Sequence, residues 1–358
     1  MRCALARALP GVLVLASVAA LARADTVFES KVQVYTDSDH TTVISPAVNA
    51  SSDVTPDTSF ALGYLVDAVS SASVDIVSQA SPITMHDVRH QVSVGLTHLI
   101  DTWTLTGGYS YSTENDYLSH TINVGVSKDL FDKNTTLSLG YGISLNTVGR
   151  SGDENFSRAM TDQHVDLSWT QIVSPRLATQ VTYELGVVDG FQSSPYRYVP
   201  IRQSADAAPD FWVWETDPTE RTRNAIVIGA NRALGEDSIQ GDYRFYFDDW
   251  GITSHTFGAR YFIKLGKSLE LRLRERFYTQ GAASFYQEIY TTPQKYITFD
   301  RELSSLWSET FGGKLIWAIT SHIDAELKAD IFYYSYSEFL PLASRTGANL
   351  GTGLTLTY

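Results

Sequence analysis

Hydrophobic and polar residues alternate with a period of two along most of this chain, and the clearest case occupies 242–262. Tyr243, Phe245 and Phe247 share one parity, and Asp242, Arg244, Tyr246 and Asp248 the other, a spacing that points successive side chains to opposite faces of a strand. After a break at Asp248, Asp249, Trp250 and Gly251 the pattern resumes, with Phe257, Tyr261 and Ile263 on one side and Arg260 and Lys264 on the other. Strands with one apolar and one charged side suit a wall between lipid and water. The same alternation predicts strands at 26–35, 59–67, 73–78, 90–100, 103–111, 118–128 and 135–145. It continues at 164–173, 177–188, 223–234, 238–248, 254–265, 269–279, 306–319, 323–334 and 347–358.

The connections alternate in kind. Short ones fall at 101–102, 132–134, 174–175, 235–236, 266–267 and 320–321, and long ones at 146–162, 189–222, 280–305 and 335–346. One rim of tight turns and one of loops is the polarity of an outer-membrane barrel, turns periplasmic and loops outside. The fold expected is an all-β, antiparallel, up-and-down transmembrane barrel of about sixteen strands with both termini periplasmic, or about fourteen if the weak hairpin at 59–78 is discounted. After the first residues no apolar run reaches the roughly 18 residues that a spanning helix needs. Trp103 and Trp317 border short turns, where interfacial rings belong, and Trp250 lies at the opposite end.

Composition adds location. Arg2 and Arg7, an apolar run from Leu9 to Leu21, and Ala22-Arg23-Ala24 form a secretory signal pattern, so residues 1–24 are expected to be removed, leaving a barrel of 25–358 in the outer membrane. Three of the 27 basic residues and none of the 40 acidic ones leave with it, so 24 face 40 and the formal charge becomes −16. Such a chain is no partner for nucleic acid; its expected partners are outer-membrane lipid and lipopolysaccharide. Cys3, the single cysteine, leaves too, which excludes disulfide and thiol chemistry. Leu350, Leu354, Leu356 and terminal Tyr358 share one parity, an aromatic-ended strand of the kind the barrel-insertion machinery reads.

With its STENDY stretch (112–117), its FDKNTTLSLGYG stretch (131–142), the connection running from Asp248 through Trp250 and Gly251 to His255, and small-residue repeats at 70–73 and 78–81, the sequence resembles the DUF3570 family of bacterial outer-membrane proteins. The family's repeats have a Ser-Gly-Ala-Ser form; here Ser71 and Gln79 replace the glycine. The resemblance implies an outer-membrane barrel and assigns no chemistry.

Four constellations carry candidate chemistry. Asp248, Asp249 and His255 at one connection are residue types that activate water, although the same letters make a polar turn. His86, Asp87 and His90 are zinc-ligand types without a fixed third position. Asp206, Asp210, Glu215, Asp217 and Glu220 are carboxylates of a long loop, suited to Ca²⁺ or to divalent bridges to lipopolysaccharide, but without EF-hand spacing. Ser73 sits in a small-residue motif like those that accept covalent flavin mononucleotide, and equally in a turn. None provides a complete catalytic set, and the expectation is a barrel that is not an enzyme and has no cofactor or metal.

The last feature is a basic ladder. If Leu269, Leu271, Leu273 and Phe277 face lipid, then Arg272, Arg274 and Arg276 face the lumen, joined by Arg260 and Lys264. The opposite parity would put charge on the lipid face at about 2 to 4 kcal/mol each. Left open, the ladder concentrates anions in a porin-like or transporter-like pore for small polar solutes; paired with Asp324, Glu326 and Asp330, it is neutralised. A non-conducting scaffold for an envelope or periplasmic redox complex is the other expectation, favoured if the long loops at 189–222 or 280–305 fold into the lumen.

Overall fold

The computed structural model describes residues 26–71 and 85–358, except for the side chains of Ser71, Met85 and His86. Its first nine strands are β1 (Thr26–Asp37), β2 (Thr41–Thr55), β3 (Thr58–Ser71), β4 (Met85–Ile100), β5 (Trp103–Thr113), β6 (Tyr117–Leu130), β7 (Thr135–Val148), β8 (Arg158–Ser174) and β9 (Leu177–Gly190). A small hairpin, β10 (Tyr198–Ile201) and β11 (Phe211–Trp214), stands apart from the barrel sheet. It precedes β12 (Glu220–Leu234), β13 (Asp237–Asp248), β14 (Thr253–Lys264), β15 (Leu269–Gln280), β16 (Leu306–Ala318), β17 (Ile323–Tyr336) and β18 (Ser344–Thr357). Sixteen of these strands close into one antiparallel barrel, with β18 paired to β1. Closure leaves no sheet edge, which a wall in lipid requires because hydrocarbon cannot satisfy free backbone groups.

One strand lies elsewhere than the alternation placed it. β2 occupies residues read as a connection, whereas the strand expected at 73–78, with Ser73 and the repeats at 70–73 and 78–81, falls wholly or partly outside the described residues. The signal hid for a physical reason. Both faces of β2 carry small side chains, among them Ser45, Ala47, Ala50 and Ser51, and Pro46 has no N–H to give to a ladder, so its β3 pairing skips from Ile44 to Ala47. The other turns behave as read. Asp101, Phe131, Asp132 and Lys133, with Gly235 and Gly266, take positive φ in the tight connections of the rim that also holds both barrel termini.

The most exposed large apolar side chains at mid-height share one parity on each of β6, β8, β16 and β17. Ile122, Leu167, Phe311 and Ile331 are each at least half exposed, at 50%, 54%, 55% and 64%. Polar residues bound this belt on both sides: His90 and His98 in β4, His120 and Lys128 in β6, Gln163 and Gln171 in β8, Asn224 and Arg232 in β12. Each pair is eight residues apart, and a tilted strand of that length rises about 20 Å, close to the roughly 25 Å apolar band of membrane barrels. Trp103 and Trp317 lie at the lower edge, Trp103 beneath the Lys128 ammonium at 4.0 Å. The chain is therefore a membrane-spanning barrel whose outer wall meets lipid.

The belt's upper edge is built by repetition. Tyr64, Tyr109, Tyr141, Tyr183 and Tyr243 are each the seventh residue of their strands, β3, β5, β7, β9 and β13. Each hydroxyl reaches diagonally to the next strand, to His90 (2.9 Å), His120 (2.8 Å), Gln163 (2.8 Å), Asn224 (2.7 Å) and His255 (2.7 Å). The rings stay in the belt and the hydroxyls meet its boundary, the place where an amphipathic ring is most stable.

A closed sheet of this kind should survive detergent. Folded protein from outer membranes is expected to migrate anomalously in SDS until it is boiled, and identical mobility with and without heat would contradict the closure.

Candidate functional site

The lumen has two unlike walls. At mid-height on β2 to β7 the inward parity is small and uncharged, with Asn49, Gly63, Ser93, Ser110, Thr121, Asn123 and Ser144 in register, and the Asp67–Arg89 pair stands above them. From β12 round to β18 and β1 it is charged. Arg260 stands opposite Arg274, and Lys264 opposite Glu270, with Arg272 and Arg276 on the same face as Arg274.

Apart from Arg276, the ladder cations on this wall meet carboxylates beside them rather than across the lumen. Arg274 pairs with Asp330 at 2.7 Å, Arg272 with Glu270 at 2.5 Å, and Arg260 with Asp242 at 3.5 Å, while Lys264 pairs with Glu270. Arg244–Glu184 and Arg223–Asp162 continue the series at 2.7 and 2.6 Å. The three expected acidic partners divide. Asp330 takes Arg274, Glu326 takes Lys314 at 2.5 Å and Lys31 at 4.0 Å, and Asp324 lies opposite Ala318 and Thr355. Among the described residues no carboxylate lies within ion-pair distance of Arg276, whose guanidinium packs over Tyr278.

Glycine makes the Arg274 bridge possible. Arg274 and Asp330 lie two strands apart with Gly312 between them in register, and a Cβ there would collide with the Asp330 carboxylate. Without that side chain Asp330 lies against the wall, 2% exposed, while the Arg274 side chain remains 44% exposed. Lys264 (50%) and Arg272 (41%) likewise stand proud of Glu270 (16%). Lys264 and Arg272 share one carboxylate, and water in the lumen meets the cations first.

The outer mouth is narrowed by loops. Among the described residues the fully buried side chains concentrate there, with Val199, Ile201, Tyr290 and Ile297 joining the 191–219 loop to the 281–305 loop. Isolated bridges Ile201–Tyr290 and Thr216–Ile297 fix the contact. The 281–305 loop turns inward, since Leu303 and Phe299 pack with Tyr246, Tyr278, Tyr334 and Tyr336, all of lumenal parity.

Glu215 ties these loops together. Its fully buried carboxylate accepts from the Ser194 N–H (2.9 Å), the Thr298 hydroxyl (2.6 Å) and the Phe299 N–H (3.1 Å), and pairs with Arg197 at 3.0 Å. Arg197 also meets Asp300 at 3.1 Å, and Arg301 reaches Asp39 on the β1–β2 turn. Towards the other side, the Tyr196 hydroxyl donates to Asp116 and Arg150 donates to the Pro195 carbonyl at 2.9 Å. Asp217, buried beside Glu215, has its carboxyl pushed up to about 8, chiefly by desolvation and then by the charges of Glu215 and Asp300.

The candidate constellations mostly come apart. Asp248 bonds Arg221 (2.5 Å), the Tyr246 hydroxyl (2.7 Å) and the Ile252 N–H (2.8 Å), and Asp249 caps the Thr222 N–H at 2.9 Å. His255 lies on the opposite, lipid-facing parity with Tyr243, so the three do not converge. Trp250 is buried against Phe285, donating to the Glu220 carbonyl at 2.9 Å, while Gly251 supplies a φ of 90° for the turn. Of the loop carboxylates, Glu215 and Asp217 meet, while Asp210 pairs with Gln203 on the exposed hairpin. Asp87 and His90 point to opposite faces of β4, so no zinc set forms from them.

What sequence reading missed is a carboxylate trio. Asp87, Glu114 and Asp116 present oxygens within 4.8 Å of one another, with Asn115 donating to Asp87 at 2.8 Å. Burial and Asp87 raise Glu114 to about 7 and lift Asp116 also. Glu114 and Asp116 sit in the STENDY stretch and Asp87 lies on neighbouring β4, three residues before the His90 that stands opposite Thr113.

A profile of the family described as protein of unknown function (DUF3570) matches residues 73–164 and 154–344, more than half of the chain. The chain belongs to the DUF3570 family. No curated protein matches it. Among solved structures, a bacterial polysaccharide outer membrane secretin superposes with a TM-score of 0.53 over 93% of this chain and 98% of that one, at 8% identity. OpdK of Pseudomonas aeruginosa with vanillate (TM-score 0.48, 9% identity) covers 94% of this chain and 99% of its own. OmpTdeltaL8, a loop L8 deletion mutant of an outer membrane protein of Vibrio cholerae, gives 0.46 at 9% identity, with coverage of 94% and 100%. At such identities the secretin match shows the fold alone, which agrees with the lipid-facing belt. This DUF3570 protein is a sixteen-stranded outer-membrane barrel.

Proposed function

We propose that this barrel passes small polar solutes, anions in preference, along the charged wall of a lumen narrowed at its outer mouth. The observation that carries the reading is the relief of that wall: carboxylates lie flat against the strands while Arg260, Lys264, Arg272 and Arg274 keep 51%, 50%, 41% and 44% of their side chains exposed. Fixed cations lining a water path govern permeation more than the net charge of the protein does. A non-conducting scaffold is the second reading, favoured by the loops that fold over lumenal tyrosines.

Conductance in planar bilayers separates the two. Reversal of Arg274 is a poor test, because it would set a new carboxylate against the buried Asp330, which would keep only Lys328 at 3.2 Å as its cation. Arg260→Glu with Arg276→Glu changes exposed charge instead, and is expected to shift the reversal potential towards cations with little change in folding. A wild-type barrel without conductance would end the solute-passage reading and leave the scaffold.

A further inference from the structure

The tyrosine ring on the outer wall is interrupted on β15, β17 and β1, whose seventh residues are Glu275, Ala329 and Val32, and only the first of these is charged. The seventh residue of β15 is Glu275, opposite Phe311, and its diagonal neighbour on β16 is Glu309, in the register that elsewhere joins a tyrosine to a histidine or amide. Phe311 lies opposite Glu275 and Phe277 opposite Glu309, so the two acidic side chains are diagonal neighbours and put a local acidic charge on the outer wall. Both face lipid at the upper edge of the belt, where acidic side chains are disfavoured. Phosphate-rich lipid headgroups would be repelled by that charge, so the occupant of this surface must bring a donor.

The adjacent hairpin supplies one. On β13–β14 the Tyr243 hydroxyl engages Nδ1 of His255, which leaves Nε2 as the ring nitrogen directed outward. Between the two hairpins the wall is indented: Gly241 lies opposite Ala259, and Ala259 opposite Glu275. Small residues let two membrane walls approach closely. Two copies in one membrane, related by a two-fold axis along its normal, keep every residue at its own depth. Centred on β14–β15, that contact sets Glu275 and Glu309 of each copy against His255 of the other, about 10 Å from the equivalent site across the axis.

We infer that the β13–β16 face is a self-association surface, and that this protein forms a two-fold dimer closed by reciprocal glutamate–histidine contacts at the outer edge of the apolar belt. The test uses the full-length barrel purified in mild detergent. Native mass spectrometry is expected to give a dimer for the wild type, and Ala259→Cys is expected to cross-link to dimer on oxidation in membranes, Cys3 being the only native cysteine. Glu275→Tyr with Glu309→His installs the tyrosine–histidine pair already found at three other positions of the ring, so the variant should fold, as its heat-dependent mobility will report, and run at least tenfold more as monomer. A monomeric wild type, with or without bound lipid, overturns the inference. So does a dimer that persists in the double variant with no cross-link through Ala259→Cys.

Discussion

Glu215→Ala is expected to raise single-channel conductance several-fold and to expose the 191–219 loop to trypsin added from outside. The carboxylate is fully buried and holds three donors from two loops in addition to Arg197, so its loss frees all of them at once. Breaking a buried pair from one side costs about 3 to 5 kcal/mol, and although Arg197 keeps Asp300 at 3.1 Å, the Ser194, Thr298 and Phe299 donors lose their acceptor. The apolar contact of Val199, Ile201, Tyr290 and Ile297 is too small a core to hold the mouth closed against that loss. The barrel itself should be unaffected, since its strands are held by a continuous ladder that Glu215 does not enter. Glu215→Gln keeps an acceptor and should fall between wild type and Ala. Unchanged conductance and unchanged protease resistance in Glu215→Ala would show that the loops do not gate the lumen.

The barrel was legible because its signal is periodic and local. Tyr243, Phe245 and Phe247 announce a lipid face without reference to any distant residue, and the parity that put Arg272, Arg274 and Arg276 together is likewise a property of one strand. β2 was not legible, for contrast between its faces is weak and Pro46 reads as a turn. Partner choice was the harder part. Strand spacing alone suggested that Asp324, Glu326 and Asp330 would act as a set, whereas the reach of each depends on what stands between, and only the register reveals that Gly312 opens the way from Asp330 to Arg274. Loop constellations were least legible of all. Asp87 meets Glu114 and Asp116 through pairing of β4 with β5, and Glu215 meets Thr298 across 83 residues, neither of which leaves a periodic trace. The acidic exception at Glu275 and Glu309 became visible only once five equivalent hairpins could be laid over it.

The mouth should also respond to pH, closing more firmly in acid. Asp217 has a carboxyl raised from 3.8 to about 8 by burial and by Glu215 and Asp300, with Arg197 and Arg221 opposing. In an opened loop the same group returns to the ordinary carboxylate range, so between roughly pH 4 and 8 the closed form holds a proton that the open form has lost. Closure is therefore fully favoured below that window and weakens as pH rises through it, by up to about tenfold in the opening equilibrium per pH unit. Glu114, raised to about 7 on a neighbouring loop, acts in the same direction. Hydrogen exchange over 190–220, corrected for the intrinsic pH dependence of exchange, is expected to lose protection between pH 6 and 8.5, with conductance rising in parallel. Asp217→Asn keeps the neutral form at every pH and should hold the loop in its acid state, with Glu114 left as the remaining slope. If the variant and the wild type share one pH profile, the proton on Asp217 does not set the closure of the mouth.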